Sequence, residues 1–468
     1  MKTRLLIMVF VLLSAAGSVK GQGTVISEGI AYKIESASAY VSGYTSMGLT
    51  TANIKESVEY EGTTYPVTSI GATAFRSCKS LTTVTIPGSV TSIGTYAFDL
   101  CESLASITIP SGVTSIGYGA FFYCHSLTSI TLPEGLTSIS DQAFINCSGL
   151  TSITIPSGVT SIGASAFSEC IGLTSITLPE GVTSIGATAL GGCTGLTSIA
   201  LPAGLTSISN YVFSGCSGLT SITLPSGVTE IGDGAFVGCT GLTSIGLPSG
   251  VISIGNSAFG GCAGLTSIGL PSGVTSIGNS AFEGCIGLTS IALPAGITSI
   301  SESAFSSCTH LTSVTIPSGV TEIGYGAFRN CPSLADVYCW ALVPPTMDDA
   351  FELDNDVELY PFTLHVATGC KAAYQADELW MLSKTIVEED PTSIGETNNI
   401  ESAISYADGI LSLPEGILAN VSVYTPEGKC VQSSMVAADA CDLSSLPQGL
   451  YIVRVKAGNE VVSIKIVK

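Results

Sequence analysis

Cysteine recurs at positions 78, 101, 124, 147, 170, 193, 216, 239, 262, 285, 308 and 331, each 23 residues after the last. A fixed period of that length is the mark of a repeat architecture, in which each unit carries an apolar face that only its neighbours can cover. Prolines keep the same step from Pro87 to Pro317. So do Phe75, Phe98, Phe121, Phe144 and Phe167, then Leu190 as a substitute, and Phe213 onward to Phe351. The unit reads C-x-x-L-T-S-I-T-L-P-x-G-V-T-S-I-G-x-x-A-F-x-x. In the copy from Leu150 to Cys170, the spacing of Leu150, Ile153 and Ile155 predicts a short strand with those side chains inward. Pro156 ends that strand because it has no N–H to donate. Gly158 turns the chain, and Val159 and Ile162 return to the interior in a second extended piece. Ala166, Phe167 and Cys170 fall at i, i+1 and i+4, which suits one short helical turn facing inward. Permissive dihedrals are the expected reason for glycines such as Gly158 and Gly163. The expected fold is a repeat solenoid of 23-residue units, mainly β with short helical turns, whose strands pair in parallel from coil to coil at about 4.8 Å.

Mean hydropathy is +0.51, yet the longest apolar stretch is Leu5–Ala16, too short to span a bilayer. The apolar content therefore belongs in a buried core. With Lys2 and Arg4 before it and Val19-Lys20-Gly21 after it, that stretch predicts a secretory signal peptide cut before Gln22. The 36 acidic side chains outnumber 15 basic ones, for a net charge of −21, which argues against nucleic acid as a partner. No transmembrane segment is expected in the mature chain.

The repeat resembles the BspA-type bacterial leucine-rich repeat over about 270 residues. Gly29-Ile30-Ala31-Tyr32 and Val58 to Val67 resemble the usual lead-in to such an array. Pro344-Pro345, Ala350-Phe351 and Ala373-Tyr374 through Trp380 resemble its closing cap. Caps have a physical purpose, since terminal coils would otherwise expose apolar edges and unpaired strands. The resemblance implies cell-surface adhesion and host interaction.

Polar composition from Val387 to about Ser402 predicts a linker. Beyond it, Ile410-Leu411, Val421 to Tyr424, Leu450 to Val455 and Val461 to Val467 alternate as short strands, with turns at Pro426-Glu427-Gly428 and Gly458-Asn459. These predict a small C-terminal antiparallel β-sandwich. Leu443-x-x-Leu446-Pro447-x-Gly449-Leu450-Tyr451-Ile452-Val453 with Lys465-Ile466-Val467-Lys468 is similar to the type IX secretion C-terminal sorting domain. That similarity implies contact with the secretion machinery, passage across the outer membrane and attachment at the cell surface, with removal of the tail left open. The expected organisation is signal peptide 1–21, N-terminal β cap 22–70, solenoid 71–340, C-terminal cap 341–389, linker 390–405 and sorting domain 406–468.

Sixteen cysteines in an exported chain would ordinarily suggest disulfides. The periodic twelve lie on one inward face in copies related by near-pure translation, so their Cβ vectors run parallel and free, stacked thiols are expected. Off the period, Cys339, Cys370, Cys430 and Cys441 are the better disulfide candidates, Cys430–Cys441 among the pairings. Zinc lacks C-x-x-C pairs or interleaved histidines.

No G-x-S-x-G, H-E-x-x-H or Walker-type loop occurs, and no cofactor or catalytic residue is expected. Asp354, Asp356 and Glu358 alternate like the opening of a calcium loop, but Leu359 stands where that loop needs Gly and His365 where it needs Glu. A solvated cap loop is the expectation there. His125 and His310 are too far apart in the repeat to share a site, and His365 has no evident partner. On the first strands, Ser129 and Thr131, Ser152 and Thr154, Ser175 and Thr177 point outward. An ice-binding face is disfavoured by the breaks at Ala200, Gly246, Gly269 and Ala292. Tyr96, Tyr118, Phe122 and Tyr123 occupy variable positions in adjacent coils. They are candidate partner-binding residues for an extracellular protein or glycan, or else they pack between coils. The expected function is a secreted or cell-surface, non-enzymatic protein presenting an extended adhesive surface. The alternative is a structural surface spacer with no specific ligand.

Overall fold

A computed structural model of the chain describes residues 22–352, residues 360–389 and, further on, strands between 405 and 467. The signal peptide, the acidic cluster 354–358, most of the linker and the two C-terminal turns lie outside the described residues. By internal contacts the chain forms two compact units, Met1–Leu190 and Gly191–Lys468.

In the first unit the repeat becomes a parallel β-solenoid. Ser152–Thr154 pairs in register with Ser175–Thr177, each residue facing its counterpart 23 positions on. Ser161–Ile162 sits between Ser138–Ile139 and Ser184–Ile185 in the same way. The strands are three and two residues long. Leu150, Ile153, Ile155, Val159 and Ile162 are buried, while Ser152 and Thr154 are exposed. Threonine hydroxyls add staples between coils, for example from Thr174 to the Thr151 carbonyl at 3.1 Å.

The segment expected as a helical turn is built differently. Gln142, Phe144 and Asn146 donate their amides to Ala164, Ala166 and Ser168 of the next coil, at 2.7–2.8 Å. The amides between them, of Ala143, Ile145 and Cys147, close i→i−3 turns within the coil. Gln142 and Asn146 both have φ of +57°, so two left-handed residues per coil break any helical course. Alternation of inward and forward bonds lets this side of the coil share in the stacking as a strand does.

Glycine also has a different basis from the one expected. Gly158 and Gly163 are not among the positive-φ residues. A Cβ at Gly163 would lie 2.4 Å from the Asp141 amide nitrogen, and one at Gly158 would lie 3.1 Å from the Leu136 carbonyl. Close approach of stacked backbones, not dihedral freedom, requires them.

The interior is a pair of ladders. Phe75, Phe98, Phe121, Phe144 and Phe167 stack with centroids 5.3–5.4 Å apart and rings within 6° of parallel. Beside them most of the periodic thiols donate to the carbonyl of the phenylalanine one coil earlier, as from Cys147 Sγ to Phe121 O at 3.2 Å, while Cys78 at the start of the ladder turns to Leu49 O. The fourteen cysteines at 78–331, 339 and 370 are all buried and outside any disulfide, so Cys339 and Cys370, expected as disulfide candidates, are not bridged.

The N-terminal cap is woven into the first coils. Strands β1 (Gln22–Ser27), β2 (Ile30–Glu35) and β3 (Ser38–Tyr44) form an antiparallel meander. β3 then pairs in parallel with β6 (Thr63–Ile70), which is also antiparallel to β5 (Ser57–Tyr60). The end of β6, Ser69-Ile70, starts the second-strand column by pairing with Ser92-Ile93. β4 (Thr51–Asn53) starts the first-strand column against Thr83–Thr85.

In the second unit the Ser207–Ile208, Glu230–Ile231, Ser253–Ile254 and Ser276–Ile277 strands form a parallel four-stranded sheet. The other column thins to single bridges through Ala200, Thr223, Gly246 and Gly269 before strands resume at Ser290–Ala292. It closes with parallel strands Asp336–Cys339, Tyr360–Ala367 and Ser383–Glu389, the last two joined across the helix Lys371–Ala376. Trp380 and Tyr374 are fully buried there. The Trp380 indole donates to Pro345 O at 2.9 Å and the Tyr374 hydroxyl to Ala341 O at 2.8 Å, and Phe351 ends the phenyl stack against Trp380. Toward the C-terminus two antiparallel sheets appear, one from strands 405–407, 410–412 and 440–442, the other from 419–424, 430–436, 450–457 and 460–467. Cys430 falls in the second sheet and Cys441 in the first.

Candidate ligand-binding surfaces

Tyr96, Tyr118, Phe122 and Tyr123 meet as one cluster. Tyr118 and Phe122 present edges to the Tyr96 ring at 5.2 and 6.0 Å, and Phe122 lies 4.6 Å from Tyr123, which in turn meets His125 edge-on at 5.4 Å. Tyr96 and Tyr123 sit at left-handed turn positions. Gly119 makes room for the first, since a Cβ there would fall 2.5 Å from the Tyr96 ring. Tyr118 is exposed and the other three are half-buried. Packing between coils and an open edge thus coexist in the same four residues. A hydrogen bond with Tyr118 is the main cause that raises the Tyr96 phenol above its ordinary value.

Charged groups border the cluster. The Arg76 guanidinium lies 5.6 Å from the centre of the Tyr96 ring, while its Nε contacts Asp99 Oδ2 at 2.8 Å. Asp99 is 2% exposed, and its Oδ1 has no hydrogen-bond partner among the described residues. Burial therefore raises its carboxyl, and Arg76 offsets that only in part.

His365, for which the sequence shows no evident partner, has two. Its Nδ1 is 2.8 Å from Glu389 and its Nε2 3.0 Å from Asp336, with the ring stacked on Tyr338 at 4.3 Å. In-register pairing of Asp336–Cys339, Tyr360–Ala367 and Ser383–Glu389 brings these together, residues more than twenty positions apart. Both contacts are hydrogen bonds at once only when both ring nitrogens carry hydrogen. Among the described residues no group of three or more His, Cys, Asp or Glu is placed to hold a metal.

Sequence reasoning passed over a third feature. Asn210, Asp233, Asn256 and Asn279 share one repeat position, and each of the first three accepts the backbone amide of the next through its Oδ1, at 2.7–2.9 Å. The signal was visible as three Asn and one Asp in succession at the 23-residue step, in a column that elsewhere holds Ala, Thr, Tyr, Asp141 and Glu302, with Asp141 likewise accepting the Ala164 amide at 2.7 Å.

Parallel coils, a phenyl stack, a thiol ladder and two caps define a β-solenoid surface-repeat protein. The BspA type leucine rich repeat region matches residues 54–161, 137–251 and 230–357, and the chain belongs to that family. The secretion system C-terminal sorting domain matches residues 403–468. It marks the protein for type IX export, secreted or at the cell surface, and implies contact with that machinery. Among the described residues no helix is long and apolar enough to cross a membrane. A leucine rich cell surface protein from Faecalibacterium prausnitzii is 32% identical, with 69% of this chain and 96% of that one covered and a TM-score of 0.51. A leucine-rich repeat protein from Bacteroides ovatus is 29% identical over 72% of this chain and 99% of that one, with a TM-score of 0.49. No curated protein matches the chain. These families point to structural or binding roles, and none of the matches is to a catalytic family.

Proposed function

We propose that the protein is a non-enzymatic adhesive display solenoid, binding an extracellular protein or glycan through Tyr96, Tyr118, Phe122 and Tyr123. The signal peptide 1–21, the linker 390–405 and the domain limits set out above are part of this reading. The observation that carries it is the gathering of four aromatic rings at positions that hold small or polar residues in most other coils. Aromatic anchors with one open edge supply contact area at low entropy cost, which is how hot spots arise.

The test is solid-phase binding to matrix proteins and to a glycan array. Replacing Tyr118 and Phe122 together by alanine should weaken adhesion at least tenfold with the melting temperature unchanged. Parallel loss of adhesion and of thermal stability assigns the rings to packing. The seating of Tyr96 over Gly119 favours a second reading, a surface spacer without a specific ligand, which absence of binding to every probe would support.

A further inference from the structure

We propose that the second unit carries a separate binding groove for a neutral oligosaccharide, centred on Asn210, Asp233 and Asn256. A groove of about 280 Å³ runs over these residues and over Glu230, Ser253 and Ser276. Glu230, Ser253 and Ser276 face one another in register on neighbouring strands. The Asx column runs beside them, one side chain per coil, at a step of about 4.8 Å.

Each Asx side chain is already fixed. Its Oδ1 holds the amide of the next coil, and Gly232 and Gly255 leave the space that the oxygens of Asn210 and Asp233 occupy. What remains of each has no partner among the described residues: the amide NH₂ of Asn210, the second oxygen of Asp233 and the amide NH₂ of Asn256. The row therefore presents donor, acceptor, donor at coil spacing without loss of side-chain freedom on binding. Sugar hydroxyls, each both donor and acceptor, are the groups such a row satisfies, and the step is close to the length of one pyranose ring. Tyr211, next to Asn210, is 45% exposed, and its ring lies across Gly234, where a Cβ would be 2.2 Å away. An open aromatic face beside a polar row suits the C–H face of a sugar.

The same lining discriminates against other ligands. It contains two carboxylates, Glu230 and Asp233, and no basic residue, so a uronate or sulfated glycan meets repulsion with no counter-charge. Its apolar members Ile231 and Ile254 are buried at 0% and 1%, which leaves no pocket for a peptide's apolar anchor.

Calorimetric titration of the full chain with cellohexaose, mannohexaose, maltohexaose and hexagalacturonate tests this. At least one neutral hexamer should bind saturably and independently of salt, and hexagalacturonate should not. Asn210→Asp and Asn256→Asp keep the oxygen that holds the next coil but remove the donor. Together they should weaken binding at least tenfold with the unfolding midpoint retained, and Tyr211→Ala should do the same. Absence of binding by all three neutral hexamers, or binding unaffected by the paired Asp substitutions, overturns the proposal. The result is separable from the adhesion assay above, because the variants, probes and unit of the chain all differ.

Discussion

A buried thiol beside a carbonyl has a use that a methyl group lacks. Cys147 donates to Phe121 O, and the same geometry recurs from Cys101 to Phe75 and from Cys308 to Phe282. Burial disfavours the thiolate, pushing Cys262 up to about 12 and Cys147 well above its ordinary value. Since the thiolate is the nucleophile, the periodic cysteines should resist iodoacetamide in the native protein and react on unfolding, as read by intact mass. Native labelling at the rate of a free thiol would contradict the ladder. Asp99 gives a prediction about pH. Its raised native value means that the folded state holds the proton more tightly than the unfolded chain does. Its contribution to stability is then fully present in acid and lost as pH rises through the native titration. Wild type measured against Asp99→Asn should therefore show higher relative stability in acid than at neutrality, read from denaturant midpoints. The opposite slope would mean that Arg76 outweighs desolvation.

At the scale of the coil, what matters is where one backbone touches the next. Gly163 has the Asp141 backbone nitrogen 2.4 Å from any added Cβ, whereas Gly246 has nothing within 4 Å. Gly163→Ala should cost about 1–3 kcal/mol through overpacking against groups that cannot rotate away. Gly246→Ala should be neutral or stabilise by up to about 1 kcal/mol through the unfolded chain. Urea unfolding of the two variants compares them directly, and equal effects would refute the close-approach account.

For the molecule as a whole the open problem of any solenoid is its ends. The N-terminal cap starts both strand columns, with β4 and β6. The C-terminal cap ends one phenyl stack on Phe351 and covers it with Trp380. Trp380→Ala should cost about 3–5 kcal/mol. Because contacts run only between neighbours, hydrogen exchange should quicken first in the Asp336–Cys339 and Tyr360–Ala367 strands and least near Ser207–Ile208. Uniform acceleration would argue against nearest-neighbour stability. The sorting domain marks this protein for the cell surface or exterior, where unpaired strand edges favour aggregation and exposed thiols favour oxidation.

Periodicity alone was enough for the parallel β-solenoid, the inward thiols and the outward Ser and Thr, because a translational repeat turns each position into a column whose burial must be the same in every coil. Of the C-terminal strands, 410–412, 419–424, 450–457 and 460–467 were legible from alternating apolar residues, whereas 405–407, 430–436 and 440–442 were not. Three things lay beyond it. The Gln142–Asn146 segment has helical spacing, yet its hydrogen bonds are shared with the next coil, which no single unit reveals. Gly163 looks like a turn residue until the neighbouring backbone is in place. His365 gains Asp336 and Glu389, and Asp99 its orphaned oxygen, only through packing of residues remote in the chain. A repeat dictates what is common to its copies. What one copy does differently depends on the particular side chains that stacking brings alongside it.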